Sequence, residues 1–319
     1  MRKVDPDALR SGDRRALAKA ITLLESSRPQ DQAAAQHLLK AVLPDSGNAL
    51  RLGITGVPGV GKSTFIESFG LHLIEQGHRV AVLAVDPTSP VTGGSILGDK
   101  TRMPELSSHP NAFIRPSPSS GLLGGVARRT REALLLCEAA GHDVVLVETV
   151  GVGQSETLVA SMVDCFLVLM LPNAGDELQG IKKGILEVAN LLVVNKADGE
   201  QISLAKRTQQ AYRQALRLVR SEASGAAVPV LTCSALERSG LDSVWQAVQQ
   251  FEQAARTSGA WQQQRKAQAR QWLWTLVEEG LLREFRNRPE VQRQLEECEQ
   301  AVADGTLLPP QAAERLLRP

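Results

Sequence analysis

Apolar positions along the chain change period twice. Within residues 1–47, Leu9, Leu17, Ile21, Leu24, Leu38, Leu39 and Val42 recur near helical spacing, which predicts helices with a break at Pro29 and Asp31. Pro44-Asp45-Ser46-Gly47-Asn48 follows as a turn-rich boundary. From residue 49 the pattern becomes short, nearly continuous apolar runs: Leu50–Thr55, Val80–Val85, Val144–Glu148, Cys165–Leu171, Leu191–Asn195 and Val228–Cys233. Most are separated by enough chain for a crossover helix. Strands apolar on both faces that alternate with helices predict a mostly parallel sheet covered by helices on both faces, an α/β fold. Asp86–Ser120, rich in Pro, Gly and Ser, reads as one long loop. From about residue 254 a helical pattern returns, rich in Gln, Arg and Glu, with Leu273, Leu276, Val277, Leu281, Leu282 and Phe285 as its apolar positions. The expected division is an N-terminal helical extension (1–47), an α/β domain (48–253) and a C-terminal helical arm (254–319).

Composition narrows the function classes. Hydrophobic residues make up 43% of the 319 residues, enough for a core, while aromatics are 3%, so the core is aliphatic and stacking platforms for single-stranded nucleic acid are not expected. The 36 basic and 35 acidic residues leave a net charge of +1, with no electrostatic footprint for nucleic acid. The local run Arg128-Arg129-Thr130-Arg131 fits a solvated helix face. The four cysteines, Cys137, Cys165, Cys233 and Cys298, form no CxxC pair, and the five histidines are scattered; reduced core thiols are expected and no metal cluster shows. The start, MRKVDPDALRSGD, has no apolar stretch of a secretory signal and carries acids early, unlike a mitochondrial presequence. The apolar runs are too short to cross a bilayer. The expected location is cytoplasmic, with no membrane partner.

The first chemical motif is Gly56-Val57-Pro58-Gly59-Val60-Gly61-Lys62-Ser63, which fits GxxxxGK[ST] at every fixed position. It follows a strand-like run and opens a helical stretch, Ser63–Glu75. Glycines let backbone N–H groups turn inward around phosphates, and the helix adds its positive N-terminal end. Lys62 is expected at the β- and γ-phosphates, and Ser63 on Mg²⁺. This makes the fold class a P-loop NTPase.

Asp143-Val144-Val145-Leu146-Val147-Glu148 is an apolar strand ending in a carboxylate, Walker-B-like with Glu in the usual Asp position. Glu148-Thr149-Val150-Gly151 resembles a DxxG segment, in which Glu148 would hold Mg²⁺ directly or through water and the Gly151 N–H would sense the γ-phosphate. Asp86 ends the second strand run and Asp99 lies further along the loop. Each could enter the Mg²⁺ shell, or cap its own loop. Asn195-Lys196-Ala197-Asp198 is NKxD. The Asp198 carboxylate is an acceptor pair that matches the N1–H and N2–H donors of guanine, a pair adenine lacks, so adenine would leave buried acceptors unpaired. The Lys196 stem can lie on the base plane, and Asn195 can brace neighbouring loops. Ser234-Ala235-Leu236 follows the next strand and resembles an SA[KL] segment, whose backbone N–H contacts guanine O6. GTP and GDP are the expected nucleotides.

On these motifs the chain resembles the MeaB/ArgK-type GTPases, the family related to the human methylmalonic aciduria type A protein. The resemblance covers roughly residues 5–255. It is carried by Gly56–Thr64, Val85-Asp86-Pro87-Thr88-Ser89-Pro90, Gly93-Gly94-Ser95-Ile96-Leu97-Gly98-Asp99-Lys100-Thr101-Arg102-Met103, Val147–Glu156 and Gly175-Asp176-Glu177-Leu178-Gln179-Gly180-Ile181-Lys182-Lys183-Gly184. It implies a G-protein chaperone that gates cofactor loading and protects an adenosylcobalamin-dependent acyl-CoA mutase, usually methylmalonyl-CoA mutase. It also implies a homodimer built through the C-terminal arm. By motif it places Lys62, Ser63 and Thr64 on phosphate and metal, and Asp86, Asp99 and Glu148 in the wider metal shell. Gly175–Lys183 would be an extra loop, with Lys182 able to approach the nucleotide or the partner.

No attacking-water glutamine of the Ras kind is evident, Gln154 being near but not analogous, so slow intrinsic hydrolysis completed by the partner is expected. An ATP-dependent kinase linked to amino-acid transport is the rival reading, which Asp198 and the missing kinase motifs oppose. A nickel metallochaperone GTPase would need a His-rich or paired-Cys tract, which is missing. The apolar stripe of the arm fits dimerisation, docking of the mutase, or packing back on the chain's own core.

Overall fold

The computed structural model describes residues 4–26, 28–85, 102–116, 123–149, 155–172, 183–219, 227–317. In chain order the elements are α1 (Pro6–Arg10), α2 (Arg14–Glu25), α3 (Pro29–Val42), β1 (Leu50–Gly56), α4 (Lys62–Glu75), β2 (Val80–Val85), α5 (Pro104–Ser108), β3 (Ala112–Pro116), α6 (Leu123–Ala139) and β4 (Val144–Thr149). They continue as α7 (Ser155–Ala160), β5 (Cys165–Met170), α8 (Lys183–Val188), β6 (Leu191–Val194), α9 (Ile202–Val219), β7 (Val230–Thr232), α10 (Leu241–Thr257), α11 (Ala260–Arg286), α12 (Pro289–Ala303) and α13 (Pro309–Leu317). Two compact units divide the chain, Met1–Arg265 and Lys266–Pro319.

In the first unit seven strands pair in the order β3-β2-β4-β1-β5-β6-β7, and every pairing is parallel. Parallel sheets bury both faces, and the strands show this directly. Leu52 and Ile54 of β1, Val80 and Val82 of β2, Val144 and Leu146 of β4 and Leu167 and Leu169 of β5 enter one core with Phe65, Ile66, Phe69 and Leu73 of α4. Their neighbours Leu83, Val85, Val145, Val147, Phe166 and Val168 enter a second core on the other face. Leu17, Ile21 and Leu24 of α2 complete that second core. The N-terminal helices are therefore part of the covering layer. Asp13 starts α2 by accepting from the Arg15 and Ala16 N–H groups at 2.7 and 2.8 Å.

Two elements lie inside the segment that reads as one long loop. α5 is little more than a turn and β3 contributes the short run Ala112-Phe113-Ile114, lengths at which neither helical nor alternating periodicity can register. Tertiary contacts make them. Glu67 of α4 accepts from the Glu105 N–H at 2.8 Å and supplies the missing cap of α5. Among the described residues β3 is the sheet edge, pairing with β2 alone, and there Pro116 is tolerated. Arg115 of β3 ion-pairs with Glu25 of α2.

The end of the sheet opposite the strand C-termini carries a buried charge cluster. Arg265, at the end of the first unit, pairs with Asp164, and its Nη2 also donates to the Ala49 carbonyl at 2.8 Å. The Asp164 carboxylate accepts the Arg51 N–H at 2.8 Å as well. Arg51 pairs with Glu138 at 2.5 Å. The side chains of Asp164 and Glu138 are each 2% exposed. Burial pushes the Asp164 carboxyl up, and the Arg265 bond and charge pull it back down. Trp261 is buried beside them, with the Arg256 and Arg265 guanidinium groups 4.1 and 5.0 Å from its ring centre.

In the second unit α12 buries Val291 and Cys298, α13 buries Ala312, and the two helices pack on each other. Leu273, Trp274, Val277, Leu281 and Leu282 stay exposed on α11. Among the described residues, no helix is long and apolar enough to cross a membrane.

Candidate nucleotide site

β1 ends at Gly56, and residues 57–61 carry the chain into α4. Gly61 has φ +88°, and a Cβ there would lie 3.1 Å from the Asn195 Nδ2, so both conformation and space call for glycine. At Gly56 a Cβ would come within 2.6 Å of the Leu169 carbonyl. Val57 is half-buried, Pro58 and Gly59 are exposed, and Val60 is buried in the core, anchoring the loop from below. Lys62, Ser63 and Thr64 form the first turn of α4, where uncapped N–H groups and the helix dipole attract anions. The Lys62 ammonium donates to the carbonyls of Gly56 and Val57 at 2.8 and 3.3 Å. Burial lowers its pKa, while the carboxylates of Glu148 and Glu156 favour the charged form.

β4 ends beside this loop. In the sheet register Glu148 lies opposite Ile54 of β1, and its side chain is buried. The next hydroxyl, of Thr149, donates to Thr55 at 2.7 Å, a buried bond between the two strands. The Ser63 hydroxyl and the Glu148 carboxylate are both oxygen donors, the ligand type a hard divalent cation takes. Asp86, Asp99, Gly151, Gln154 and Lys182 lie outside the described residues.

β6 delivers Asn195-Lys196-Ala197-Asp198 at its end. Asn195 is 1% exposed and joins three pieces of chain. Its Nδ2 donates to the Val60 carbonyl at 2.9 Å. Its Oδ1 accepts the Ala235 N–H at 3.0 Å and faces the Cys233 thiol at 3.5 Å. Lys196 takes the left-handed conformation, φ +58°; it is exposed, and its Cε lies 3.9 Å from where a Cβ on Gly61 would stand. Asp198 accepts a hydrogen bond from the Ser234 hydroxyl. Ser234 and Ser239 exchange backbone bonds of 3.0 Å, closing a turn on which Leu236 is 79% exposed.

Ser68, which belongs to none of the motifs, is part of this assembly. Its hydroxyl, buried on α4, donates to the Ala235 carbonyl at 2.6 Å. One signal for it exists in the sequence: a hydroxyl placed among Phe65, Ile66 and Phe69 needs a buried acceptor. Glu67 beside it, the cap of α5, carries no such signal, because a surface glutamate on a helix is ordinary.

The arrangement could hold a phosphate chain at the end of β1 and, on the Asp198 carboxylate at the end of β6, a pair of donors, with Asn195 bridging the two. Residues 17–290 match the family described as Methylmalonyl Co-A mutase-associated GTPase MeaB. A probable GTPase of Mycobacterium tuberculosis is 55% identical over 310 residues, 97% of this chain and 92% of that protein. The GTPase ArgK of Escherichia coli is 53% identical over 301 residues, 94% of this chain and 91% of that one. The mitochondrial methylmalonic aciduria type A homolog of Mus musculus is 48% identical over 317 residues, 96% of this chain and 76% of that one. Among solved structures, one described as LAO/AO transport system kinase superposes with a TM-score of 0.78 at 44% identity, covering 98% of this chain and 94% of its own. With these relatives and a parallel-sheet P-loop fold, the chain is a guanine-nucleotide-binding GTPase belonging to the MeaB family.

Proposed function

We propose that this GTPase serves an adenosylcobalamin-dependent acyl-CoA mutase, methylmalonyl-CoA mutase in the first instance, gating the loading of its cofactor and protecting it from inactivation. The observation that carries the nucleotide half of this reading is the Asn195 bridge, which holds the Gly56–Ser63 loop and the Asp198 acceptors in one frame. In it, Gly56–Thr64 wrap the phosphates, with Lys62 countering the charge on the β–γ bridge. Asp198 accepts from guanine N1–H and N2–H, the Lys196 stem covers the base plane, and Ser234–Leu236 border O6. Ser63 and Glu148 would hold Mg²⁺, joined by Asp86 and Asp99, and the ion would supply positive charge against the phosphates. Gly151 senses the γ-phosphate, and Lys182 approaches the nucleotide or the partner. Intrinsic hydrolysis is slow, and the mutase completes the site.

The partner half rests on the family description and on the methylmalonic aciduria relatives. The chain works in the cytoplasm as a homodimer whose interface is the arm 254–319, a reading supported by the exposed apolar face of α11. Single-turnover GTP hydrolysis with and without the mutase tests the proposal: acceleration is expected, and none would refute it. The description of the solved relative as a transport-system kinase favours a second reading, an ATP-dependent enzyme. The Asp198 acceptors oppose it, and displacement of GTP by equimolar ATP would reinstate it.

A further inference from the structure

α9 is an 18-residue helix, ISLAKRTQQAYRQALRLV, with four cationic side chains and no acidic one. Its inner face is settled: Ala205, Thr208, Tyr212 and Leu216 are buried. At about 100° per residue, Lys206, Arg213 and Arg217 fall within about 40° of one another on the outer side, flanked by Arg207. All four are exposed. Arg213 donates to the Val230 carbonyl at 3.0 Å. Among the described residues, the side chains of Lys206, Arg207 and Arg217 take part in no ion pair or hydrogen bond. The other long helices carry acids among their cations, such as Glu132 on α6, Glu252 on α10 and Glu278 on α11, and the first two pair with Arg128 and Arg256. From residue 206 to 217 the row runs about 16 Å along the helix.

Three classes of anion could meet such a row. Nucleic acid is disfavoured, because the chain's net charge is +1 and the one aromatic residue of the helix, Tyr212, is buried. A membrane surface is disfavoured because Ala205, Tyr212 and Leu216 are used in the core and, among the described residues, Ile202 is the one large apolar side chain exposed on α9, too little to insert. What fits is a protein surface carrying carboxylates over a similar length. Unpaired cations on a rigid helix steer and orient such a partner while costing the fold nothing when it leaves.

We propose that the outer face of α9, through Lys206, Arg207 and Arg217, docks an acidic surface of the client mutase. This rests on the mutase reading above and adds the place and chemistry of contact. The test is binding of the full-length protein, GTP- and GDP-loaded, to methylmalonyl-CoA mutase from the same organism, by biolayer interferometry at 50 and 200 mM NaCl. The comparison is with the triple variant Lys206→Glu, Arg207→Glu, Arg217→Glu. Wild type is expected to weaken about tenfold or more with salt. The variant is expected to lose about tenfold or more at 50 mM and to show a flatter salt response, with GTP hydrolysis alone unchanged. If charge reversal disturbs folding, seen as a lowered melting temperature, the triple glutamine variant gives the same comparison. Wild type that binds no mutase overturns the mutase reading and this docking with it. Wild type that binds, with a variant that binds equally and keeps the salt response, overturns the docking alone. So does a variant that loses binding to duplex RNA or phosphatidylglycerol vesicles and keeps the mutase.

Discussion

Replacing Arg265 by alanine strikes the charge cluster at the foot of the sheet. The loss follows from what stays behind. Asp164, with a side chain 2% exposed, keeps the Arg51 N–H but loses the guanidinium that faced both its oxygens, and the Ala49 carbonyl loses a donor. Breaking one side of a buried pair costs about 3–5 kcal/mol, chiefly from the uncompensated charge. We expect about 3 kcal/mol or more at pH 7.5, read as a lowered urea midpoint by tryptophan fluorescence, with Trp261 reporting from within the cluster. The sign of the pH dependence follows. Burial already raises Asp164, and Arg265 opposes that rise. Without Arg265 the carboxyl sits higher still, above its unfolded value. The native state then takes up a proton before the unfolded chain does, and acidification restores stability as pH falls through that raised value. The deficit of the variant should therefore be smaller at pH 5 than at pH 7.5. A loss below about 1 kcal/mol, or a deficit equal at both pH values, would refute the reasoning.

Other outcomes follow from the same structure. Asp198→Asn should shift preference from guanine to xanthine nucleotides, whose extra carbonyl accepts from the amide; full retention of GTP affinity in a competition titration would show that Asp198 does not read the base. Lys62→Ala should abolish single-turnover hydrolysis by removing the charge on the bridging phosphates, and a rate within about tenfold of wild type would count against it. His142 is buried, its Nδ1 on the Cys137 carbonyl, and burial lowers it from 6.5 to about 4. Its contribution is present above pH 6.5 and is lost as pH falls towards 4, by up to about 3 kcal/mol; His142→Gln should flatten that part of a pH–stability curve, and an unchanged curve would exclude it. On α11, the pair Leu273→Glu and Leu281→Glu should turn a dimer into a monomer by light scattering; a dimer that persists removes the arm from the interface.

Most of the architecture was legible because its signals are long or sharply spaced. Six apolar runs marked six strands, their ends shifting by a residue or two, with β7 shorter at both ends than its run. The phosphate loop and NKxD could be located because their chemistry demands fixed residues at fixed intervals. The rest depended on contacts between distant positions. β3 and α5 hold no pattern of their own and exist because β2 pairs with one and Glu67 caps the other. The N-terminal helices read as an extension, since amphipathic spacing says that a face is buried and not against what; the answer is the second core, with α6. Trp261 and Arg265 are invisible for the same reason: nothing local to either announces Asp164, about a hundred residues earlier.

Glu67 and Ser68 are adjacent on α4, and each grips a different neighbour, one the start of α5 and the other the turn at Ala235. Asn195 adds a second tie between that turn and the phosphate loop. The site is consequently a calliper with its jaws already set. A nucleotide reaches both jaws only if its span from purine to phosphate suits the gap, because opening the gap means breaking the buried bonds of Ser68 and Asn195. Selection by length is thus built in alongside selection by the pattern of donors on the base.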